Sequence, residues 1–392
     1  MKIALLNHTD FGGGAEKIAL SLLNAYLDFG WDAWLFVGEK QTEHPNVISL
    51  QKKTFLWGGL PSIFNQNSNK SPNFWDLSDV FTKRNFKPSL IHFHNLHGGY
   101  FDLSQVKSLS EIAPILHTYH DFWPITGHCA FPMQCQGFLE ACTDCPDPMR
   151  YPAEKADKIP EQFKIKRTLL NHPSIHSVFV SAYQSDIVAK ATKLNDKFTV
   201  IPNGINSKIF YQGNREENRK KLGLESSKTY VLLAGKFSET NPYRDYNAII
   251  EVLNYFESKY PEVKFLWAGN NRVGLLAERS SVINLGEIND EQQMATVFRA
   301  ADVLFHPSLA DSQGLTVLEA IACGTPVLCY DLPSYRPNLN QQNSVFVADL
   351  SNFPAALEGM ISNPIIVPEG NNLVDWKETT HQYKQLIERL LC

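Results

Sequence analysis

The chain has 392 residues, more than the roughly 250 to 300 at which a single hydrophobic core stops growing, so two domains are expected. Hydrophobic residues make up 43% and charged residues 20%, a balance that excludes disorder and is typical of globular proteins. The net charge of −5 argues against nucleic acid as the main partner, because binding a polyanion normally needs a basic surface.

The first ten residues, MKIALLNHTD, carry one lysine and a short apolar stretch without the small-residue cleavage site of a signal peptide. They are interpreted as a first strand. No run of about 18 apolar residues occurs, so no segment is expected to span a bilayer. We therefore expect a cytoplasmic protein. Basic and acidic residues balance over residues 1–205, which leaves peripheral contact with the inner face of a membrane open.

Short apolar runs alternate with amphipathic stretches along the chain, which predicts strands buried on both faces between helices. In the first half the runs are KIALLNH, WDAWLFV, LIHFHN, PILHTYH, SVFVSA and FTVIPNG. In the second half they are TYVLLAGK, VKFLWAGN, VINLGE, ADVLFHPS and TPVLCYD. Strands that alternate with helices form parallel sheets, so the α/β class with two Rossmann-like, doubly wound parallel-sheet domains is predicted.

A domain boundary is predicted near residue 208, where proline, asparagine and glycine interrupt the periodicity in IPNGINSKIFYQGN. This gives an N-terminal domain of residues 1–207 and a C-terminal domain of residues 208–375. Residues 376–392 are predicted to form a final helix. The aperiodic segment of residues 54–87 is interpreted either as an insertion that packs over a cleft or as a surface loop.

The clearest candidate for a functional motif is PSLADSQGLTVLEAIACGTPVLCYD, residues 307–331. The pattern predicts a turn, followed by a helix that ends before the Gly-Thr-Pro sequence. Free amides in the first turn of that helix would point at an anion, together with the positive end of the helix dipole. A diphosphate suits this position, and the amides in question belong to Gly314, Leu315 and Thr316.

Two carboxylates accompany the start of that helix. Glu319 lies one turn inside, where it could accept two hydrogen bonds from a ribose diol. Asp311 lies on the preceding loop, where it would face the sugar of a nucleotide sugar. The alternative is that Asp311 caps the helix and Glu319 is a solvated helix residue.

Family 4 retaining glycosyltransferases have a donor-site signature that consists of an acidic residue, seven further residues, Glu and then a segment such as ALACGTPV. This chain resembles that family, with Asp311 where Glu is more common. Other stretches of the family pattern occur in the expected order: GGGAEKIA, TYHDFWPITGHC, VIPNGIN, LLAGKFSETNPYRDYNAIIEVL, LWAGNN, INLGEINDEQQMATVFRAADVLFHPS and a closing helix with Trp376 and Tyr383. The resemblance implies the GT-B fold, in which two Rossmann-like domains face a central cleft and the last helix returns to the first domain.

The resemblance also implies that a Lys or Arg pair grips the donor diphosphate, which gains negative charge as the glycosidic bond breaks. The matching residues are Lys236 and Arg244, although the family more often has Lys-Gly at the second place. Asp245 could weaken the local positive field, and a surface salt bridge with a nearby carboxylate is the alternative for Arg244. Asp311 is assigned as catalytic, either on hydroxyls of the donor sugar or near its anomeric carbon.

In the first domain, Gly13 and Gly14 open the first helix, where backbone can approach a ligand closely. The resemblance implies that this loop lies under the donor phosphates and sugar or near the acceptor. It also implies that His120 is catalytic, in contact with the donor sugar near the reacting carbon. Asp121 is a candidate on the acceptor side.

Further histidines surround this motif in the sequence. They are His92, His94, His97, His117 and His128. A lone histidine is more often structural than functional, and the structural interpretation is favoured for His92 and His117.

Four of the seven cysteines fall in the stretch GHCAFPMQCQGFLEACTDCP. Disulfides are disfavoured in the cytoplasm, so a group that ends in a CxxC pair predicts a structural zinc ion held by four thiolates. Irregular spacing leaves a redox or disulfide role, or unpaired thiols, as alternatives. The predicted ligands are Cys129, Cys135, Cys142 and Cys145.

Taken together, the motifs and the resemblance predict a retaining glycosyltransferase. It would move a sugar from a uridine or guanosine diphosphate donor to a sugar, lipid-linked or other glycan acceptor, and no catalytic metal is required. Polysaccharide or lipid-linked glycan assembly is the expected setting. The alternatives are a nucleotide-sugar epimerase or phosphorylase of the same architecture, and a non-catalytic nucleotide-sugar binding protein.

Overall fold

The computed structural model divides the chain into two compact units. One unit comprises Met1–Pro202 together with Thr380–Cys392, and the other comprises Asn203–Thr379. The division falls a few residues before the boundary predicted near residue 208. The residues that the structure describes are 1–52, 74–192, 198–238, 240–269, 279–370 and 373–392.

The early boundary has a physical reason, because the residues after Pro202 are hydrogen-bonded within the second unit. The N–H of Ile205 donates to the carbonyl of Val374 at 2.8 Å, and the N–H of Trp376 donates to the carbonyl of Ile205 at 2.9 Å. The residues that follow Asn203 thus pair with the segment that leads into the last helix.

The first unit is built on a sheet of seven parallel strands. The strands are β1 Lys2–Thr9, β2 Asp32–Glu39, β3 Val47–Ser49, β4 Leu90–Phe93, β5 Ile115–Tyr119, β6 Ile175–Phe179 and β7 Phe198–Val200. The helices among the described residues are α1 Gly14–Asp28, α2 Leu77–Lys83, α3 Gln105–Ile112, α4 Ile159–Leu170 and α5 Ala182–Ala191. The strand order β3-β2-β1-β4-β5-β6-β7 reverses direction between β1 and β4, and ligands of doubly wound sheets bind at such a switch point.

The second unit repeats this plan with six parallel strands in the order β10-β9-β8-β11-β12-β13. The strands are β8 Thr229–Ala234, β9 Val263–Ala268, β10 Val282–Gly286, β11 Val303–His306, β12 Val327–Tyr330 and β13 Ser344–Val347. The helices of this part of the described chain are α6 Arg215–Lys221, α7 Tyr246–Lys259, α8 Glu291–Ala300, α9 Leu315–Ala322, α10 Phe353–Ser362 and the start of α11 Trp376–Leu391. Its switch point lies between β8 and β11.

The sheet of the second unit is buried on both faces, as the continuous apolar runs predict. Along β8, Tyr230 and Leu232 pack into one hydrophobic cluster, whereas Val231 and Leu233 pack into another. Because successive side chains of a strand point to opposite faces, the two clusters are the cores on either side of the sheet. Helices cover each side, and the unit is a three-layer α/β/α structure.

Most of the segment of residues 54–87 lies outside the described residues, so its two interpretations stay predictions. Its described end contains α2, Leu77–Lys83.

In the described part of the chain, no helix has both the length and the apolar character needed to cross a membrane.

Candidate active site

The loop between β11 and α9 turns sharply at Gly314, which caps the helix with φ of +76°. A Cβ atom there would lie 2.5 Å from Cε1 of Tyr335, so both the left-handed backbone and the close ring require glycine. No side chain caps α9. The hydrogen bonds found among the described residues leave the N–H groups of Gly314, Leu315 and Thr316 without an acceptor. These amides are available to an anion.

Asp311 is the centre of a polar cluster beside this helix start. Nη1 of Arg244 donates to Oδ2 of Asp311 at 3.0 Å, and Nε2 of His306 lies 3.2 Å from the same oxygen. The hydroxyl group of Tyr335 donates to it as well. Burial alone would raise the pKa of Asp311, but the charge of Arg244 and the hydrogen bond from His306 outweigh it and hold the pKa well below its ordinary value. Asp311 is therefore a carboxylate at every physiological pH.

The structure thus brings two predicted site residues, Arg244 and Asp311, into direct contact. The alternative for Arg244 was a surface salt bridge, but the two side chains are only 23% and 17% exposed. Arg244 also contacts the hydroxyl of Ser308. The alternative in which Asp311 caps the helix is wrong, because the N-cap is Gly314.

Asp245 does not face Arg244 as a competing charge. One oxygen of Asp245 accepts from the N–H of Ala248 and caps α7, and the other accepts from the hydroxyl of Tyr330. These two bonds hold the carboxylate of Asp245. It therefore does not weaken the positive field at Arg244 by pairing with it directly.

Lys236 follows β8 and has a different environment from Arg244. Its Nζ lies 2.9 Å from Oε1 of Glu287, and the two side chains are 59% and 39% exposed. An exposed pair of this kind contributes about 0 to 1 kcal/mol, so Lys236 can exchange Glu287 for another anion at little cost.

Glu319 lies on α9 and is 7% exposed. It is therefore not the solvated helix residue of the alternative interpretation. Glu319 lies one turn inside the helix that starts at Leu315, and its burial keeps the carboxylate away from bulk water.

In the first unit, the glycine loop is occupied by a side chain that the sequence did not single out. The N–H of Gly13 donates to Oε2 of Glu16 at 3.0 Å, and a Cβ atom on Gly13 would lie 2.5 Å from that oxygen. Burial raises the pKa of Glu16. Gly14 begins α1. Access of a ligand to the amide of Gly13 therefore requires displacement of Glu16, a residue whose place in the motif GGGAEK was the only signal available.

His120 and Asp121 lie after β5, at the carboxyl end of the sheet. Nε2 of His120 is 2.8 Å from Nδ1 of His94, and burial lowers the pKa of His120 to about 4. Oδ1 of Asp121 accepts from the N–H of Trp123 at 2.8 Å, and its Oδ2 lies 3.3 Å from Nε2 of His97. The sequence indicates only that His94 and His97 lie near this motif, and the structure makes them its direct partners.

The other histidines have mainly structural contacts. His92 lies between the hydroxyl groups of Tyr26 at 3.1 Å and Thr118 at 2.8 Å. Nε2 of His117 donates to the carbonyl of His94 at 3.2 Å. The structural interpretation of His92 and His117 agrees with these contacts.

The four clustered cysteines are unpaired thiols, and they do not assemble as metal ligands. Within the described residues, no group of three or more His, Cys, Asp or Glu side chains could hold a metal ion. Burial raises the pKa of Cys129 to about 11 and also raises the pKa of Cys142. Cys145 instead lies 3.2 Å from Nε2 of His128, and Cys135 accepts from the N–H of Gly137. In this arrangement the four thiols do not form the predicted four-ligand site, and zinc binding itself stays a prediction.

Comparisons with known proteins agree with this architecture. Residues 12–208 match the family described as Glycosyltransferase Family 4, and residues 214–362 match the family described as Glycosyl transferases group 1. WcaC of Escherichia coli K12, whose name assigns it as a glycosyl transferase to colanic acid biosynthesis, is 23% identical over 364 residues, which are 86% of this chain and 85% of WcaC. D-inositol 3-phosphate glycosyltransferase of Mycolicibacterium smegmatis is 22% identical over 303 residues, which are 74% of this chain and 59% of that protein.

Solved structures show the same fold across the whole chain. Sucrose-phosphate synthase of Thermosynechococcus elongatus superimposes with a TM-score of 0.71 at 18% identity, covering 99% of this chain and 98% of that one. HepE of Anabaena, in complex with UDP and glucose, superimposes with a TM-score of 0.67 at 16% identity, covering 99% of each chain. With both halves matched by glycosyltransferase families and GT-B structures aligned over the full length, the chain belongs to the family 4 glycosyltransferases and has the GT-B fold.

Proposed function

We propose that this glycosyltransferase uses a nucleoside diphosphate sugar as donor and transfers the sugar with retention of anomeric configuration. The observation that carries the proposal is the ion pair of Arg244 and Asp311, next to a helix start with amides available at Leu315 and Thr316. A cation and backbone amides would stabilise the diphosphate, and an ionised carboxylate would accept hydrogen bonds from the hydroxyl groups of the sugar.

The ion pair suggests how the donor enters. Arg244 and Asp311 are paired in the structure. A diphosphate carries more negative charge than one carboxylate, so it competes for Arg244 and leaves Asp311 with the hydrogen bonds from His306 and Tyr335. Lys236 can leave Glu287 and add a second cation. Glu319 would hold the ribose diol.

The chemistry assigned to these groups is stabilisation of the departing diphosphate. The bond between the anomeric carbon and the diphosphate oxygen breaks, and its electron pair goes to the diphosphate, where Arg244, Lys236 and the helix amides stabilise the charge. The acceptor oxygen bonds to the same face, and its proton leaves to the departing phosphate oxygen. Asp311 stays ionised because of its low pKa, so it serves as a hydrogen-bond acceptor and not as a proton donor.

The first unit is assigned the acceptor, with Asp121 as a candidate contact, and His120 is assigned to the donor sugar. The acceptor proposed is a sugar, a lipid-linked sugar or another glycan. Names of relatives support this class, since they include colanic acid biosynthesis and D-inositol 3-phosphate glycosylation. HepE was solved with UDP-glucose, which favours a uridine donor over a guanosine donor.

A panel of UDP-sugars and GDP-sugars, each with and without a panel of glycan and lipid-linked acceptors, tests the proposal. We expect nucleoside diphosphate to be released only when an acceptor is present. Proton NMR should show that the product has the anomeric configuration of the donor. Conversion of the donor to another sugar without any acceptor would identify an epimerase. Stabilisation by nucleotide sugars in a thermal-shift assay without turnover on any acceptor would identify a binding protein; a ligand at 100 times its Kd adds about 2.7 kcal/mol to the stability.

A further inference from the structure

The contact between His94 and His120 joins the ends of two neighbouring strands in the first unit. His94 follows β4 and His120 follows β5. Nδ1 of His94 lies 2.8 Å from Nε2 of His120, and the two rings are nearly parallel, with an interplanar angle of 16°. A contact of this length between two ring nitrogen atoms is a hydrogen bond, so one nitrogen carries a proton and the other accepts it.

Both rings are neutral, which limits the possible arrangements to two. Burial lowers the pKa of His94 well below its ordinary value and lowers the pKa of His120 to about 4. Each ring therefore carries a single N–H near neutral pH. Either His94 donates from Nδ1, or His120 donates from Nε2 and the proton of His94 is on its own Nε2.

The far nitrogen of His94 distinguishes the two arrangements. Nε2 of His94 is buried and has no hydrogen-bond partner in the described part of the chain. If His120 were the donor, this atom would be a buried N–H group with nothing to accept its proton. If His94 is the donor, the atom is an unpaired acceptor, which folded proteins tolerate more often than an unpaired N–H.

The contacts of His94 hold its ring in place, so the ring cannot easily turn away from His120. Its backbone N–H donates to the carbonyl of Leu6 at 2.9 Å, and its carbonyl accepts from Nε2 of His117. On one side its ring packs against the ring of His92, with centroids 4.3 Å apart. His94 thus presents Nδ1 to His120 in a fixed orientation.

We propose that His94 is a positioning residue that donates its Nδ1 proton to Nε2 of His120 and thereby fixes the tautomer in which His120 carries its own proton on Nδ1. His120 then carries an N–H group, and not a bare lone pair, on Nδ1. Contact of this group with a donor sugar rests on the proposed function, whereas the tautomer itself does not.

The protonation of Nε2 of His120 can be measured by NMR on the whole protein with ¹⁵N-labelled histidine. Two-bond ¹H–¹⁵N correlations distinguish the two neutral tautomers, and comparison with His120→Gln assigns the signals. The wild type is expected to show Nε2 of His120 without a proton. A protonated Nε2 in the wild type would overturn the proposal.

Two variants of nearly equal shape provide the directional test. His94→Asn keeps an N–H donor close to the position of Nδ1, and Nε2 of His120 should stay unprotonated. His94→Asp offers an acceptor there, and Nε2 of His120 should gain a proton. His44→Asp, a change at a half-exposed histidine that contacts Asn24, should leave the signals of His120 unchanged. Identical protonation of Nε2 in His94→Asn and His94→Asp would contradict the role of His94.

Sugar transfer gives the second readout. We expect kcat to fall by about 10- to 100-fold in His94→Asp with a smaller change in the donor KM, and we expect His94→Asn to retain most of the activity. If the tautomers behave as described but the wild type transfers no sugar from any donor, the proposed function fails and this inference stands. If transfer occurs and kcat is the same in both variants, the inference fails and the proposed function stands.

Discussion

Arg244 and Asp311 form an ion pair at 3.0 Å in which the carboxylate also receives hydrogen bonds from His306 and Tyr335. In the proposed function, the pair places a cation for the diphosphate and an acceptor for sugar hydroxyl groups side by side. Binding of the proposed donor would then include breaking this contact.

Replacing Arg244 with Gln removes a half-buried cation while keeping hydrogen-bond donors. We expect kcat/KM to fall by about 100-fold or more, because a positioned donor to the developing negative charge contributes about 3 to 4 kcal/mol to the transition state. Steady-state kinetics check this. Arg336→Gln is the matched control, since Arg336 forms an exposed pair with Asp331, and it should change kcat/KM by less than about 3-fold. Equal effects of the two substitutions would remove Arg244 from the donor site.

Replacing Asp311 with Asn separates nucleotide binding from sugar transfer. The carboxylate competes with the diphosphate for Arg244, so its removal should tighten the Kd of a nucleoside diphosphate by about 5-fold, the effect of about 1 kcal/mol. Transfer should be slower by about 100-fold, because the ionised acceptor for the sugar hydroxyl groups is lost. Calorimetry with UDP and kinetics with the sugar donor measure the two effects. Weaker UDP binding in the variant would show that Asp311 supports the diphosphate directly.

The turn before α9 should tolerate no side chain. Gly314→Ala must strain a backbone at φ of +76° and move the ring of Tyr335, so we expect a loss of about 1 to 3 kcal/mol of stability. Gly359→Ala is the opposite case, because Gly359 lies inside α10 and its Cβ atom would meet nothing within 4 Å. That substitution should add about 0.5 to 1 kcal/mol. Urea unfolding measures both, and a neutral Gly314→Ala would contradict the turn geometry.

Much of the fold was predictable because its strands are apolar on both faces. The runs that predict β1, β8 and β11 are almost wholly buried. Two strands were missed, β3 Val47–Ser49 and β13 Ser344–Val347. Both lie at a sheet edge and are short, so half-buried and polar positions interrupt the apolar pattern.

The partners within the candidate site were less predictable than its motif residues. Asp311 and Arg244 belong to recognisable sequence patterns, but Tyr335 reaches Asp311 from a loop after β12 that has no local signal. The cysteine spacing predicts a zinc site, but among the described residues the four thiols do not form a metal-binding group, because spacing alone does not show how deeply a thiol is buried or where it points. Tertiary packing decides both.

Lys166 on α4 is a buried cation outside the proposed donor and acceptor residues. It is 3% exposed, its Nζ lies 3.9 Å from the ring centroid of Trp123, and burial lowers its pKa to about 7. Lys166→Met should therefore raise the stability at pH 6.5 by about 1 kcal/mol or more, and Tm by about 2 to 4 °C. Lys164→Met, on the exposed side of the same helix, should have little effect.

The pH dependence of that gain has a definite sign. Below pH 7 the amine is charged in both states, and the folded protein carries the full penalty of a buried charge. Between pH 7 and the unfolded pKa of about 10.4, the folded state loses the proton while the unfolded state keeps it, so the wild type becomes more stable as the pH rises. The advantage of Lys166→Met in thermal unfolding should shrink from pH 6.5 to 9.5. A constant advantage would show that the pKa of Lys166 is not lowered.

The position of the diphosphate decides whether Arg244 and the first amides of α9 form the donor site, and a crystal structure with bound UDP measures that position. We predict that phosphate oxygens accept hydrogen bonds from the N–H groups of Leu315 and Thr316 and contact Arg244, which has left Asp311. A diphosphate bound elsewhere, with the Arg244–Asp311 pair intact and those amides facing solvent, would show that this helix start is not the donor site.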